Sequence, residues 1–191
     1  MSSGNRFQAR STPRWAGAVL LSGMLLLQGC GGGAAPSPEP TVANPGVLLE
    51  QALKANASGD SAGAKRGFEA LLQQDPNNKL AAYNLGVLAQ QAGDDVAAAG
   101  HYKKTLELDP VYAPALYNFA ILTNKQGDAQ TAAALYERAI KADPRDANAH
   151  YNYGLLLRSL GNEQRAQSEI DKAIELDPSL KQPAPVASSS G

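Results

Sequence analysis

A 34-residue period constrains this chain more than any other feature. Asp-Pro pairs stand at Asp75-Pro76, Asp109-Pro110, Asp143-Pro144 and Asp177-Pro178, each 34 residues after the last. The chain has only twelve prolines, so composition alone does not put four of them in register. A fixed period of this length implies stacked copies of one supersecondary unit rather than a single globular core.

Aligning on those pairs gives units at 45–78, 79–112, 113–146 and 147–180. Gly59, Gly93, Gly127 and Gly161 fall in one column, followed by Asp60, Asp94, Asp128 and Asn162. Glycine ends a helix in the left-handed conformation, and Asp or Asn caps the start of the next one. Asp-Pro then closes the second helix, because a residue before proline is pushed out of helical geometry. At the front, Asn44-Pro45 reads as a cap with proline in the first helical position. Each unit is therefore helix, tight turn, helix.

Small columns predict how the two helices pack. Ala52, Gly86, Ala120 and Gly154 lie in the first helix, with Ala64, Ala98, Ala132 and Ala166 in the second. Such residues at a crossing let helix axes approach to about 8–10 Å. Leu85, Phe119 and Tyr153 fill around them, together with Phe68, Tyr102, Tyr136 and Ile170.

These columns resemble the tetratricopeptide (TPR) repeat over residues 45–180. Leu85-Gly86, Ala98, Tyr102 and Pro110 match its motif, whereas its Trp column holds Leu48, Ala82, Leu116 and His150. The resemblance implies an all-α fold, a right-handed superhelical α-solenoid of four helix–turn–helix units. It also implies a concave face lined by the first helices, the surface that solenoids use for binding.

The residues expected on that face recur once per repeat. Tyr83, Tyr117 and Tyr151 are followed by Asn84, Asn118 and Asn152. Val87, Ile121 and Leu155 lie one turn on, then Gln90, Asn124 and Arg158. An Asn amide can pair with both backbone groups of an extended peptide, and tyrosine adds rigid apolar area. One reading is a groove for a polypeptide held partly through its backbone. The other is that Tyr-Asn helps the repeats stack, and both can hold together. TPR proteins that clamp acidic C-termini use Lys and Arg in the groove. Here the facing positions hold Leu80, Pro114 and Asn148, and only Lys125 and Arg158 bring charge nearby, which disfavours that ligand.

After Asp177-Pro178 little sequence remains to cover the last repeat. The expectation is an apolar end face around Ile170, Ile174 and Leu176 that docks a partner or a second copy of the chain.

The N-terminus carries a different signal. Arg6, Arg10 and Arg14 precede a run of apolar residues from Trp15 to Leu27, then Gln28-Gly29-Cys30. A basic head, an apolar run and a small residue before a break form the secretory pattern. Thirteen helical residues rise about 20 Å, short of the roughly 30 Å hydrocarbon core. Leu27-Gln28-Gly29-Cys30 resembles the lipobox of bacterial lipoproteins, which implies cleavage before Cys30 and acylation there. Gly31, rather than Asp, then implies the periplasmic face of the outer membrane. An ordinary cleaved signal with a free thiol, or an uncleaved anchor, are the alternatives. The expected layout is a signal peptide at 1–29, a lipidated tether at 30–44, the array at 45–180 and a tail at 181–191. The tether and tail are rich in Pro, Ala, Gly and Ser, a composition that cannot bury a core.

Composition excludes several function classes. Without residues 1–29 the chain would hold 14 basic against 18 acidic residues, leaving no basic footprint for nucleic acid. A single cysteine excludes an internal disulfide and a cysteine zinc site. His101 and His150 stand in different repeats, outside any H-E-x-x-H arrangement, and no G-x-S-x-G or phosphate-binding loop is present. We expect no enzyme, no cofactor and no metal. The expected partners are a protein or peptide, the membrane through an N-terminal lipid, and in one reading a second copy. By resemblance, small lipoproteins of this layout assist type IV pilus or secretion assemblies, or serve as adaptors or regulatory subunits of envelope hydrolases and proteases.

Overall fold

The computed structural model describes residues 44–183. The stretches expected to be signal peptide and tether, Cys30 among them, and the tail beyond Pro183 lie outside the described residues. Among the described residues the chain forms eight helices and no strand. They are α1 (Pro45–Ala57), α2 (Ser61–Gln74), α3 (Lys79–Gln91), α4 (Asp95–Leu108), α5 (Ala113–Lys125), α6 (Ala129–Ala142), α7 (Ala147–Ser159) and α8 (Glu163–Leu176). The helices pack as four antiparallel pairs, and each pair's second helix also packs on the next pair's first. The result is an all-α helical repeat array of the kind the resemblance implies.

Local chemistry sets the boundaries. The turn glycines have φ between 78° and 87°, a region in which a side chain would be strained. Asp60, Asp94, Asp128 and Asn162 then accept a backbone N–H from the first turn of α2, α4, α6 and α8. The Asp-Pro pairs do more than stop a helix. Asp75, Asp109, Asp143 and Asp177 are extended, and each carboxylate accepts the N–H of the residue just beyond the proline. The carboxylate thus fixes the turn that leads into the next repeat.

Packing follows the small columns. Ala52, Ala64, Ala98, Ala120, Ala132 and Ala166 are buried at the helix crossings. A methyl group placed on Gly86 would lie 2.6 Å from Tyr102 Cε1, and one on Gly154 2.7 Å from Ile170 Cγ1. The tyrosine and isoleucine therefore occupy the space that a Cβ would take.

The first repeat is polar where later repeats are apolar. Leu88, Leu122 and Leu156 are buried against the preceding repeat, but the same column in α1 is the exposed Lys54. Leu85, Phe119 and Tyr153 likewise correspond to the exposed Gln51. Among the described residues no repeat precedes α1, and in these two columns it presents polar side chains, as a terminal repeat requires. Among the described residues no helix is long and apolar enough to cross a membrane.

Candidate functional site

The face built by α1, α3, α5 and α7 gathers most of the residues singled out above, though not all in the expected role. Asn118 Nδ2 donates to the Tyr83 hydroxyl at 3.0 Å, and Asn152 Nδ2 to the Tyr117 hydroxyl at 2.7 Å. Both bonds run from one repeat to the one before it, and both span 35 residues, so adjacent first helices lie side by side in constant register. Two of the three asparagine amides thus spend a proton on stacking. The residue 35 positions before Asn84 is Leu49, which offers no hydroxyl, and Asn84 donates instead to Leu80 O of its own helix at 2.8 Å. No asparagine of a later repeat meets Tyr151, whose hydroxyl donates to Lys181 O at 3.0 Å.

Burial pushes the Tyr83 and Tyr117 phenols upward, with the Asn118 and Asn152 bonds opposing it more weakly. Burial raises Tyr102, Tyr136 and Tyr153 too. These hydroxyls stay protonated at neutral pH and act as hydrogen-bonding groups. Tyr83 also meets Tyr112 edge-on at a centroid distance of 5.3 Å, and Lys79 Nζ lies 5.2 Å from the Tyr112 ring centroid. Lys79 pairs with Asp109 as well, which holds that carboxyl below its usual range. Tyr112 precedes α5 without a side-chain cap, its ring being used in this stack instead.

The Gln90, Asn124 and Arg158 column is divided in role. Gln90 Oε1 accepts from the Tyr102 hydroxyl, tying α3 to α4. Arg158 is withdrawn from the face, with a side chain only 11% exposed. Its Nε lies 3.3 Å from Glu163 Oε2 without hydrogen-bond geometry, and Nη2 donates to Gln167 Oε1 at 3.2 Å. Asn124 is exposed. Lys125 is paired with Asp95 at 2.7 Å. The two cations beside the face are thus both neutralised.

Beside the exposed Asn124, the rest of the open area is aliphatic. Val87 and Ile121 are half-buried, and Leu155 is 36% exposed. Leu53 is 43% exposed and extends this column into α1, where sequence reading missed it because the first repeat lacks the Tyr-Asn pair. Counting back one period from Val87 would have found it. Leu80, 38% exposed, adds apolar area on α3.

The end face corrects an expectation. Ile170 is 0% exposed and lies against Gly154 within its own repeat, so it offers nothing to a partner. Ile174 and Leu176 are half-buried. Where earlier repeats carry Ala99 and Ala133, α8 carries Gln167, and the chain beyond Pro178 folds back over it. Gln182 bonds Asp171 and Gln167 while the Lys181 carbonyl takes the Tyr151 hydroxyl. A short polar strap stands where a further repeat would pack.

His150 behaves as a packing residue. It is 7% exposed, with Nδ1 2.7 Å from Glu169 Oε2 and Nε2 3.2 Å from Pro144 O. Among the described residues no three His, Cys, Asp or Glu side chains stand close enough to hold a metal.

A model described as tetratricopeptide repeat matches residues 49–113 and 117–180. No curated protein matches. Among solved structures, the crystal structure of a MamA protein is 28% identical, with a TM-score of 0.63 over 70% of this chain and 73% of its own. A tetratricopeptide repeat protein from Parabacteroides merdae is 25% identical, with a TM-score of 0.62. That match covers 70% of this chain and 54% of the other. MamA from Desulfovibrio magneticus, 19% identical over 73% of this chain and 78% of its own, shares the fold at a TM-score of 0.62.

Proposed function

Because this chain belongs to the tetratricopeptide repeat family, we propose that it is a non-catalytic scaffold of the bacterial envelope that binds a polypeptide partner along the face of α1, α3, α5 and α7. The observation that carries this reading is the partly open aliphatic column Leu53, Val87, Ile121 and Leu155, one per first helix, with Leu53 and Leu155 exposed and Val87 and Ile121 half-buried. Apolar area left open in register on four helices costs solubility unless something covers it.

We place the array on a lipid anchor. The support is the resemblance of Leu27-Gln28-Gly29-Cys30 to a lipobox, with Gly31 pointing to the outer membrane. Several acyl chains, at about 0.8 kcal/mol per buried methylene, hold a protein at a membrane durably. Intact mass should show acylation at Cys30, and Cys30→Ser should release the protein from membranes. The processed chain should also lack tryptophan fluorescence, since Trp15 is the sole tryptophan.

By the same resemblance the partner is a component of a type IV pilus or secretion assembly. The competing assignment is an envelope peptidoglycan hydrolase or protease, for which this chain would be an adaptor or regulatory subunit. Crosslinking in cells followed by purification decides between them: a secretin ring supports the first and a hydrolase or protease the second. Turnover by the purified chain alone would defeat both.

A further inference from the structure

The turn before α5 and the last turn of α6 enclose an open hollow of about 490 Å³, lined by Pro110, Val111, Leu116, Arg138, Lys141 and Ala142. Three of these residues break the pattern of their columns. Ala142 is exposed and stands where the second and fourth repeats have Leu108 and Leu176, both half-buried. Lys141 stands where they have Glu107 and Glu175. Val111, 70% exposed, stands where the other turns have Asn77, Arg145 and Ser179. At this hollow the third repeat therefore lacks an aliphatic side chain and a carboxylate that its neighbours carry in adjacent positions.

The charge there is also uncompensated. In the fourth repeat Lys172 pairs with Glu175 at 2.9 Å. Arg138 shares the column of Lys172, yet among the described residues no carboxylate lies within 4.0 Å of Arg138 or Lys141. Arg138 Nη2 donates to Pro110 O at 2.9 Å, which holds the exposed guanidinium beside the turn. The acids nearest in sequence are committed elsewhere, Asp109 to Lys79 and the Val111 N–H, and Asp143 to the Arg145 N–H. Glu107 opposes the two cations from an adjoining hollow, where Lys103 offsets it. A positioned guanidinium beside an ammonium selects a carboxylate, and the apolar rim selects an aliphatic neighbour to it. Anionic membrane surfaces are held by clusters of about four to eight Lys or Arg, more than this hollow offers.

We propose that the hollow docks a partner polypeptide through an acidic residue adjacent to an aliphatic one, the pair that Glu107-Leu108 and Glu175-Leu176 place in these columns of the neighbouring repeats. The aliphatic side chain lies against Val111 and Ala142, and the carboxylate meets Arg138 and Lys141. The site shares no residue with the column of Leu53, Val87, Ile121 and Leu155, so either surface can fail without the other. The test is a nuclear magnetic resonance titration of the isotope-labelled full-length protein in mild detergent with three blocked peptides, Ser-Glu-Leu-Glu-Ser, Ser-Glu-Ala-Glu-Ser and Ser-Lys-Leu-Lys-Ser. The first should shift the Val111, Arg138 and Ala142 amides in the millimolar range, and the other two should bind about five-fold more weakly or worse. Ala142→Leu restores the aliphatic side chain and Lys141→Glu the carboxylate. Each should weaken the first peptide about five-fold or more while far-UV circular dichroism stays unchanged. Equal shifts with the lysine peptide, or shifts indifferent to both substitutions, overturn the site. Shifts confined to α1, α3, α5 and α7 overturn it as well, while leaving the groove reading in place. Phosphatidylglycerol vesicles that shift the same amides regardless of Ala142→Leu would assign the hollow to an anionic surface instead. Absence of a shift with every peptide overturns the inference.

Discussion

The side-chain amide of Asn152 donates to the hydroxyl of Tyr117 at 2.7 Å, from the fourth repeat to the third. Asn118 and Tyr83 repeat the contact one period earlier. The pairs join helices that are otherwise linked chiefly through the second helix between them, so they hold the register of α3, α5 and α7.

Removing one partner of such a bond should therefore cost stability. Asn152→Ala and Tyr117→Phe should each lose about 0.5–1.5 kcal/mol. In a double-mutant cycle their effects should be less than additive, because both remove the same bond. Asn84→Ala should change little, since Asn84 bonds only within its own helix. Urea unfolding of the three single variants and the double variant checks the pattern, and an Asn84→Ala loss as large as the Asn152→Ala loss would contradict it.

Two glycines should respond to alanine with opposite signs. A Cβ on Gly86 would press on the Tyr102 ring, which is buried and tied to Gln90. Overpacking costs about 1–3 kcal/mol, more than the roughly 1 kcal/mol that alanine's helix propensity returns. Gly100 in α4 has nothing within 4 Å of the same position, so Gly100→Ala should stabilise by up to about 1 kcal/mol. Thermal unfolding should show Tm falling for the first and rising for the second.

Acid should weaken the junction between the third and fourth repeats. Glu137 accepts from the Tyr153 hydroxyl at 2.6 Å and from Arg165 at 2.8 Å, and these bonds hold its carboxyl below the usual range. A folded-state value below the unfolded one contributes stability that is complete above about pH 4.3. That contribution disappears as pH falls through the depressed folded value. Asp109, lowered by Lys79, acts in the same direction. Glu137→Gln should flatten the acid limb of stability against pH, measured by urea unfolding at several pH values. An unchanged limb would mean that Glu137 is not depressed.

Truncation after Leu180 removes the carbonyl that accepts from Tyr151 and the Gln182 contacts with α8. These bonds are exposed to solvent, so the loss should be at most about 1 kcal/mol. Ile170→Glu, in contrast, places a carboxylate against Gly154 in the buried crossing and should unfold the fourth repeat. Circular dichroism distinguishes the two, with helicity kept in the first and reduced in the second.

The sequence by itself determined the repeat, because its signals are local. Glycine in the left-handed region, Asp or Asn at a helix start and Asp before proline act within a few residues, and each recurs every 34. The small columns were legible for the same reason, since a crossing admits only small side chains. The part played by each polar residue on the face was decided by the tertiary structure. Tyr117 and Asn152 are 35 residues apart, and no local rule says that they meet. Only stacking puts the amide on the hydroxyl, turns Arg158 toward Glu163, and draws the strap over Tyr151. With those groups paired among themselves, Leu53, Leu155 and Asn124 are left open on the array.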